Sequence, residues 1–336
     1  MWGRTALAVF AIVLLTCGAP AAAYDRHHHQ PATVDALLGL DVAPVAIAHR
    51  GFGDNVGTDP SRPIENTVEA VRRGFRAGAS VVEVDVQLTR DGHVVAFHDD
   101  FLPDFTCLNQ LTLGQLRHRV PSIARLEEIL HEAQRFNQAA GPLRGLVIIE
   151  LKAAAPLCDP RDTQDDRIVS HVSEVVHRAG MTHQVMFTSL SPALLLLASE
   201  RAPAIVRILS VSGLQFLTAA EIEPVFGYVP TLIHKQPDLG LQWAEIGPIF
   251  RLPGYRSIDE VIMTAAAVQA RIVEADLLFW QFAGAPFVDA LHGFGLEAYG
   301  FTATNPGEWA FLDSLGVDGI YTNDVPFGVA HQADIP

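Results

Sequence analysis

Short apolar runs rich in β-branched residues recur along the chain, separated by longer amphipathic stretches. The first run is Val45-Ala46-Ile47-Ala48. A Gly-, Asp- and Pro-rich loop follows, then a helical pattern that starts near Asn66 or Thr67, carries Glu69, Ala70, Val71 and Phe75, and stops at Gly78. The second run is Val81–Val86. Further runs are Leu146–Ile149, Val185–Thr188, Ile205–Ser210, Arg271–Ala275, Leu296–Phe301 and Gly319–Thr322, with helical patterns such as 123–133, 168–178 and 191–198 between them. Arg90-Asp91-Gly92 is a turn signal, so His93–Phe97 reads as the return arm of a hairpin inserted after the second strand. Setting that arm aside leaves eight strands alternating with helices. That pattern predicts a TIM-type (β/α)8 barrel with extended loops at its C-terminal face. Residues 99–121 read as loop. The Pro- and Gly-rich stretch 211–270 reads as an elaborated strand-to-helix excursion, not a separate domain. The barrel then occupies residues 44–330.

The second strand is unusual because Glu83 and Asp85 interrupt its valines. Residues i and i+2 of a strand share a face, so the two acids stand about 7 Å apart along the strand. Two carboxylates on a buried strand repel each other and lose hydration, and they need a cation or shared protons. A hard divalent ion such as Mg²⁺ or Ca²⁺ suits carboxylate oxygen. The plain alternative is a surface strand with an acidic face. The neighbouring polar residues argue against it. His49, Arg50, Glu83, Asp85, His98, Glu150 and Lys152 all fall in or just past an apolar run, and the C-terminal strand ends of a barrel ring one mouth. Glu83, Asp85 and Glu150 offer three ligands for one cation. His49 and His98 titrate near neutrality and suit general acid–base work. Arg50 and Lys152 can neutralise an anionic substrate, and Glu65 can pair with Arg50 from behind. Metal, acid, base and cations together suit displacement at phosphorus.

The chain has 336 residues, 49% hydrophobic and 18% charged, enough for one large core. Its net charge of -15 makes non-specific nucleic-acid or anionic-membrane binding a poor expectation. Attraction for a phosphate must then be local. Arg4 precedes an apolar run from Thr5 to Thr16, which suits a signal peptide and is too short to span a bilayer. Ala21-Ala22-Ala23 offers a cleavage site, so residues 1–23 are expected to be removed on export to the periplasm or the extracellular space. No stable membrane span is expected after that. Leu14-Leu15-Thr16-Cys17 loosely resembles a lipoprotein box, with threonine a poor fit before Cys17. Residues 24–43 read as a polar lead-in, and His27-His28-His29 as solvated linker. In an exported chain Cys107 and Cys158 are expected to form a disulfide, with two free thiols as the other reading.

In this order the motifs resemble the glycerophosphodiester phosphodiesterase family. They are Ala48-His49-Arg50-Gly51, Ile64-Glu65-Asn66-Thr67, Glu83-Val84-Asp85-Val86-Gln87-Leu88-Thr89-Arg90-Asp91-Gly92, His98-Asp99, Glu150-Leu151-Lys152 and Gly316-Val317-Asp318-Gly319-Ile320-Tyr321-Thr322-Asn323-Asp324. The resemblance runs from about residue 45 to 327. It implies a TIM barrel that cuts small glycerophosphodiesters, such as glycerophosphocholine or glycerophosphoethanolamine, into sn-glycerol 3-phosphate and an alcohol. It implies one divalent cation, Ca²⁺ or Mg²⁺, on Glu83, Asp85 and Glu150, and acid–base roles for His49 and His98. Ile64 stands where the family has proline. Phe301-Thr302-Ala303-Thr304-Asn305 stands in place of a tryptophan-led motif, which leaves the size of the substrate open. Two further readings use the same barrel. One is a phospholipase D or sphingomyelinase D kind of enzyme acting on lysophospholipids, with Trp243, Phe250, Leu252 and the phenylalanines near 279–287 as an apolar path. The other is a phospho-headgroup-binding barrel without turnover.

Overall fold

A computed structural model of the chain describes residues 32–40, 43–138, 143–154, 158–159, 166–216 and 254–333. The expected signal segment 1–23, the His27–His29 run, Cys17 and the stretch 217–253 with Trp243, Phe250 and Leu252 lie outside the described residues.

Eight parallel strands close on themselves, as the alternation predicts. They are β1 (Val45–Ala48), β2 (Val81–Leu88), β5 (Leu146–Leu151), β6 (Val185–Ser189), β7 (Val206–Val211), β8 (Ile272–Asp276), β9 (Glu297–Ala303) and β10 (Gly319–Thr322). Closure comes from β1, which pairs with β10 through Val45 and Gly319 and with β2 through Ile47 and Val81. The hairpin expected after the second strand is present. Strand β3 (Val94–Ala96) runs antiparallel to β2, and the short β4 (Ala124–Arg125) continues the pairing.

Alternation along each strand sorts the core into two zones. Ile47, Val81, Ile148, Met186, Ile208, Ile272 and Tyr299 point inward and fill the lower barrel. Their strand neighbours, such as Val82, Val84, Val147, Ile149 and Phe187, point outward under the helices. Each fully buried aliphatic side chain contributes roughly 1.5–3 kcal/mol. The valines of the second strand therefore carry the hydrophobic load on one face, and its acids occupy the other.

Local signals set the helices. In α2 (Val68–Ala77) the Thr67 hydroxyl accepts from the Ala70 N–H, and Gly78 ends the helix in the left-handed region at φ 110°. Gly74 of this helix meets the Gly51 carbonyl with no room for a Cβ. That close approach presses the loop after β1 against the barrel and sets where His49 and Arg50 sit.

Several sequence expectations are corrected. Helix α1 (Val34–Leu38) lies in the expected polar lead-in, yet Val34 and Leu37 are buried against the lower barrel residues. Five residues are too few for helical periodicity to stand out. Within the expected loop 99–121 the structure has a 3₁₀ turn (Leu108–Gln110) and α3 (Leu113–Arg119), started by a Thr112–Gln115 capping box. Leu102, Leu108, Leu111, Leu113, Leu116 and Ile123 form a small core of their own under Val95. The helix expected over 123–133 is α4 (Leu126–Asn137), because Ala124 and Arg125 pair with β3 first. Helices α5 (Arg167–Ala179) and α6 (Pro192–Arg201) lie close to their predicted places. The last part of 211–270 is an ordinary barrel helix, α7 (Ile258–Ala267). Its alanine-rich C-terminal half carries little periodic signal. Helices α8 (Leu277–Gly293), α9 (Pro306–Ser314) and α10 (Val325–His331) complete the described ring. Among the described residues no helix is long and apolar enough to cross a membrane.

Cys107 and Cys158 form the expected disulfide, with Cα atoms 5.6 Å apart and a sequence separation of 51. It ties the insertion after β3 to the loop after β5, and the Asn109 amide donates to the Cys158 carbonyl beside it at 3.0 Å. Cross-linking a loop of this length constrains the unfolded chain by about 4 kcal/mol. Replacing Cys107 with serine is expected to lower stability by about that amount, read as a drop in the urea midpoint of the oxidised protein. An unchanged midpoint would show that the bridge does not form in solution.

Candidate active site

The strand alternation that fills the lower barrel with aliphatic side chains places Glu83, Asp85 and Gln87 on the inner face of β2, and Glu150 and Lys152 at the end of β5. Register brings the two strands together, since Asp85 pairs with Glu150 and Val86 with Leu151. One oxygen from each of Glu83, Asp85 and Glu150 lies within 4.8 Å of the other two. Oxygens bound to one ion at 2.3–2.6 Å lie about 3.3–5 Å apart, so the three carboxylates fit a single hard cation. Glu83 is 3% exposed and Asp85 1%.

The surrounding groups answer the charge of this cluster. Lys152 Nζ is 3.0 Å from Asp85 and 3.0 Å from Glu150. Arg50 takes a left-handed backbone at φ 48°. That turn lets its N–H donate to Glu83 Oε2 at 2.9 Å, while the guanidinium donates to Glu65 at 2.9 Å and stands 3.5 Å from Asp85. Asn66 completes the shell. Its amide donates to Asp85 Oδ2 at 2.9 Å, and its carbonyl accepts the Asp85 N–H at 3.0 Å. Burial, then the charges of Asp85 and Glu150, hold Glu83 well above the ordinary carboxylate range. Burial also pushes Glu150 up, to about 8, against the pull of Lys152. Asp85 goes the other way. Burial opposes its ionisation, but Lys152, His98 and Arg50 hold it well below the usual range. Three carboxylates thus share two cations, and the surplus is met either by protons on Glu83 and Glu150 or by a further cation such as a divalent ion.

The two histidines sit on different parts of the mouth. His49 follows β1, and its Nδ1 meets Asn323 Oδ1 at 2.8 Å and Asp54 Oδ1 at 3.0 Å. Its ring stands edge-on to Tyr321, 6.4 Å between centroids. His98 follows β3, and its Nδ1 meets Asp99 Oδ1 at 2.7 Å. Gln87 holds this turn, because its Nε2 donates toward the carbonyls of Phe97, His98 and Asp99 at 3.0, 3.2 and 2.8 Å.

The structure therefore brings Arg50, Glu83, Asp85, Glu150 and Lys152 into direct contact with one another. It places His98 close enough to act on the Asp85 charge, and His49 on the Asp54 side of Arg50. Glu65 stands behind Arg50 as expected and also accepts the Asn55 N–H at 2.9 Å. Sequence reasoning missed Asp54, Asn66, Gln87 and Asn323 as site residues. Three of the four had a signal in hand, and Asp54 had none. Asn66 and Asn323 lie inside the quoted motifs, and Gln87 continues the Glu83, Asp85 alternation. Inside the barrel the reasoning also missed Glu274, 4% exposed, which accepts from the hydroxyls of Thr188 and Tyr321. Phe301 keeps an aromatic ring at the mouth, edge-on to Tyr321 with 6.0 Å between centroids. The apolar path weighed for a lipid substrate loses two of its members, because Phe279 and Phe287 are buried in the outer core.

Comparison with known proteins accords with this geometry. The sequence profile described as the glycerophosphoryl diester phosphodiesterase family matches residues 49–326. A glycerophosphodiester phosphodiesterase of Caldanaerobacter subterraneus is 42% identical over 72 residues, which is 18% of this chain and 27% of that protein. Bacillus subtilis YhdW is 24% identical over 295 residues, 82% of this chain and 93% of its own length. A phosphodiesterase of Oleispira antarctica, solved in complex with sn-glycerol-3-phosphate, shares the fold at a TM-score of 0.59 and 17% identity, over 85% of this chain and 96% of that one. A profile that spans the barrel from the residue after β1 to the start of α10 decides the assignment: the chain belongs to the glycerophosphoryl diester phosphodiesterase family.

Proposed function

We propose that this chain hydrolyses glycerophosphodiesters to sn-glycerol 3-phosphate and an alcohol. The observation that carries the reading is the convergence, at one barrel mouth, of three carboxylates within 4.8 Å with Arg50 and Lys152 in contact with them. Two histidines, each with a carboxylate at Nδ1, flank that cluster. The product seen with the Oleispira antarctica phosphodiesterase supports the glycerol 3-phosphate side of the cut. Glycerophosphocholine and glycerophosphoethanolamine are the substrates proposed, and the disulfide supports action outside the cytoplasm.

Glu83, Asp85 and Glu150 would hold one Ca²⁺ or Mg²⁺, which when bound supplies Lewis-acid stabilisation of charge on a phosphoryl oxygen. The chain's own groups do the rest. Arg50 and Lys152 face the phosphate with positive charge that is already anchored, so little reorganisation accompanies its binding. One imidazole takes the proton of the attacking hydroxyl as its oxygen bonds to phosphorus. The other gives a proton to the departing alkoxide as the P–O bond breaks. Where the attacking hydroxyl is water, one water is consumed and one alcohol released; where it is the substrate's own glycerol hydroxyl, the first displacement gives a cyclic phosphate that a water then opens, with the same net result.

The direct test is release of glycerol 3-phosphate from glycerophosphocholine by the protein. Release is expected to stop with EDTA and to return with Ca²⁺ or Mg²⁺. Silence with every metal would sink the reading and direct attention to lysophospholipids. Glu83→Ala is expected to abolish turnover and the rise in melting temperature that the cation gives the parent. Turnover at the parental rate would refute the metal assignment. His98→Ala is expected to lower kcat about 10²–10⁴-fold with cation affinity unchanged. Loss of cation binding in that variant would make His98 a ligand instead.

A further inference from the structure

The loop after β1 does more than deliver Arg50. Gly53 N–H donates to the His49 carbonyl at 2.6 Å, and Arg62 Nη2 donates to the carbonyls of Phe52 and Asn323 at 2.6 and 2.8 Å. The loop is thereby stapled to the end of β10, and the Asp54 carboxylate meets the Asn323 amide beside His49. The orientation of that amide is fixed by chemistry. The Asp54 backbone N–H points at Asn323 Oδ1 at 3.1 Å, and a backbone N–H can only donate, so the atom it meets must be oxygen. At the other end, Asn323 Nδ2 donates to Asp54 Oδ2 at 2.9 Å.

His49 Nδ1 therefore faces two acceptors, Asn323 Oδ1 at 2.8 Å and Asp54 Oδ1 at 3.0 Å. A proton on Nδ1 satisfies them. A lone pair there would face two oxygens and lose the hydrogen bond. A neutral imidazole carries one proton, so Nε2 on the far side of the ring must hold the lone pair. The carboxylate stays ionised. Burial opposes this, but the hydrogen bond from His49, the charge of Arg50 and the hydrogen bond from Asn323 hold Asp54 well below its ordinary range.

We propose that Asp54, with Asn323, is a positioning residue that locks neutral His49 in the Nδ1–H tautomer and so makes Nε2 the nitrogen that accepts the proton of the attacking hydroxyl. The inference deepens the phosphodiesterase reading: it rests on that reading for acid–base work by the two histidines and adds the assignment of His49 as the proton acceptor. The tautomer itself is a property of the ring and can be read without turnover. His98 has a looser version of the device. Its Nδ1 partner is the next residue in the chain, Asp99, whose side chain is 62% exposed. Asp54 and Asn323 instead reach His49 from two separate elements and bond to each other.

The experiment is ¹⁵N NMR of the full chain with labelled histidine, in Ca²⁺, at a pH where the ring is neutral. His49 is assigned by the signal lost in His49→Gln. The parent is expected to show one tautomer, protonated at Nδ1. Asp54→Asn keeps an acceptor oxygen and is expected to keep that tautomer. The double variant Asp54→Ala, Asn323→Ala removes both acceptors and is expected to show a mixture. Asp54→Ala should lower kcat about 10- to 100-fold, with KM moved less than about threefold, since Asn323 remains to hold the ring. Asp54→Asn should recover most of that loss. A parent ring protonated at Nε2 overturns the inference even if phosphodiesterase activity is intact, and so does a double variant that keeps the Nδ1–H tautomer. An Nδ1–H ring in a protein that never releases glycerol 3-phosphate upholds the tautomer and sinks the functional reading instead.

Discussion

The burial of two carboxylates on one strand is the constraint that the rest of the molecule answers. Glu83 and Asp85 lie on the inner face of β2, nearly sealed from water. Isolated ionised carboxylates in such a place are heavily penalised unless paired and hydrogen-bonded. Each neighbouring feature relieves part of that penalty. Lys152 bridges Asp85 to Glu150, and Asn66 satisfies both the backbone and the side chain of Asp85. Arg50 gives its N–H to Glu83 and its guanidinium to Glu65. It can do both only because its backbone turns into the left-handed region. That conformation costs a non-glycine residue about 1–3 kcal/mol and persists where the surroundings over-determine it. Here the Asn66 N–H donating to the Arg50 carbonyl at 3.0 Å is one such surrounding contact.

The same strand organises the histidine side of the mouth. Glu83, Asp85 and Gln87 follow one another at intervals of two on one face, and Gln87 fastens the turn that holds His98. Position along β2 therefore couples the carboxylates to His98 through rigid backbone, not through a mobile loop. The insertion that follows has its own small core and is tied back by the Cys107–Cys158 bridge. Beside the bridge the Asn109 amide donates to the Cys158 carbonyl at 3.0 Å, so the insertion is held to the chain that follows β5 by a covalent link and a hydrogen bond.

Most of the barrel was legible because its signal is periodic. Valine-rich runs of four to six residues, each ending in polar residues, specify strands whose C-terminal ends carry chemistry, and Arg90-Asp91-Gly92 marked the hairpin that would otherwise have spoiled the count of eight. The carboxylate trio followed from the same alternation, whereas the Arg50–Glu65 pair stood only as one possible contact in the loop after β1. Apart from Gln87, which shares the alternation of Glu83 and Asp85, what escaped notice has no such period. Helix α1 is five residues long, and its burial under the barrel depends on strands that come later in the chain. Helix α3 is declared by its Thr112–Gln115 capping box more than by its apolar face. Asp54 sits in a polar loop whose composition predicts only a turn. Its contact with Asn323, 269 residues away, exists because β1 and β10 are the strands that close the barrel. Residues that act through closure cannot be read from local pattern.

Charge balance at the mouth links the fold to the proposed chemistry. Glu83, Asp85 and Glu150 share two cations, and Arg50 is already engaged with Glu65 and Asp54. Burial first, and then the neighbouring carboxylates, push Glu83 and Glu150 up, while Asp85, nearest the cations, is pulled down. A site built only for stability would exchange one of these acids for a neutral residue, since a buried ion pair seldom outperforms well-packed apolar side chains. Retaining all three makes physical sense if a further positive charge enters. A divalent ion would convert the repulsion among the three carboxylates into coordination, and a phosphodiester would then meet Arg50 and Lys152 beside it. The protons that burial favours on Glu83 and Glu150 are in this view what a dipositive ion would displace on binding.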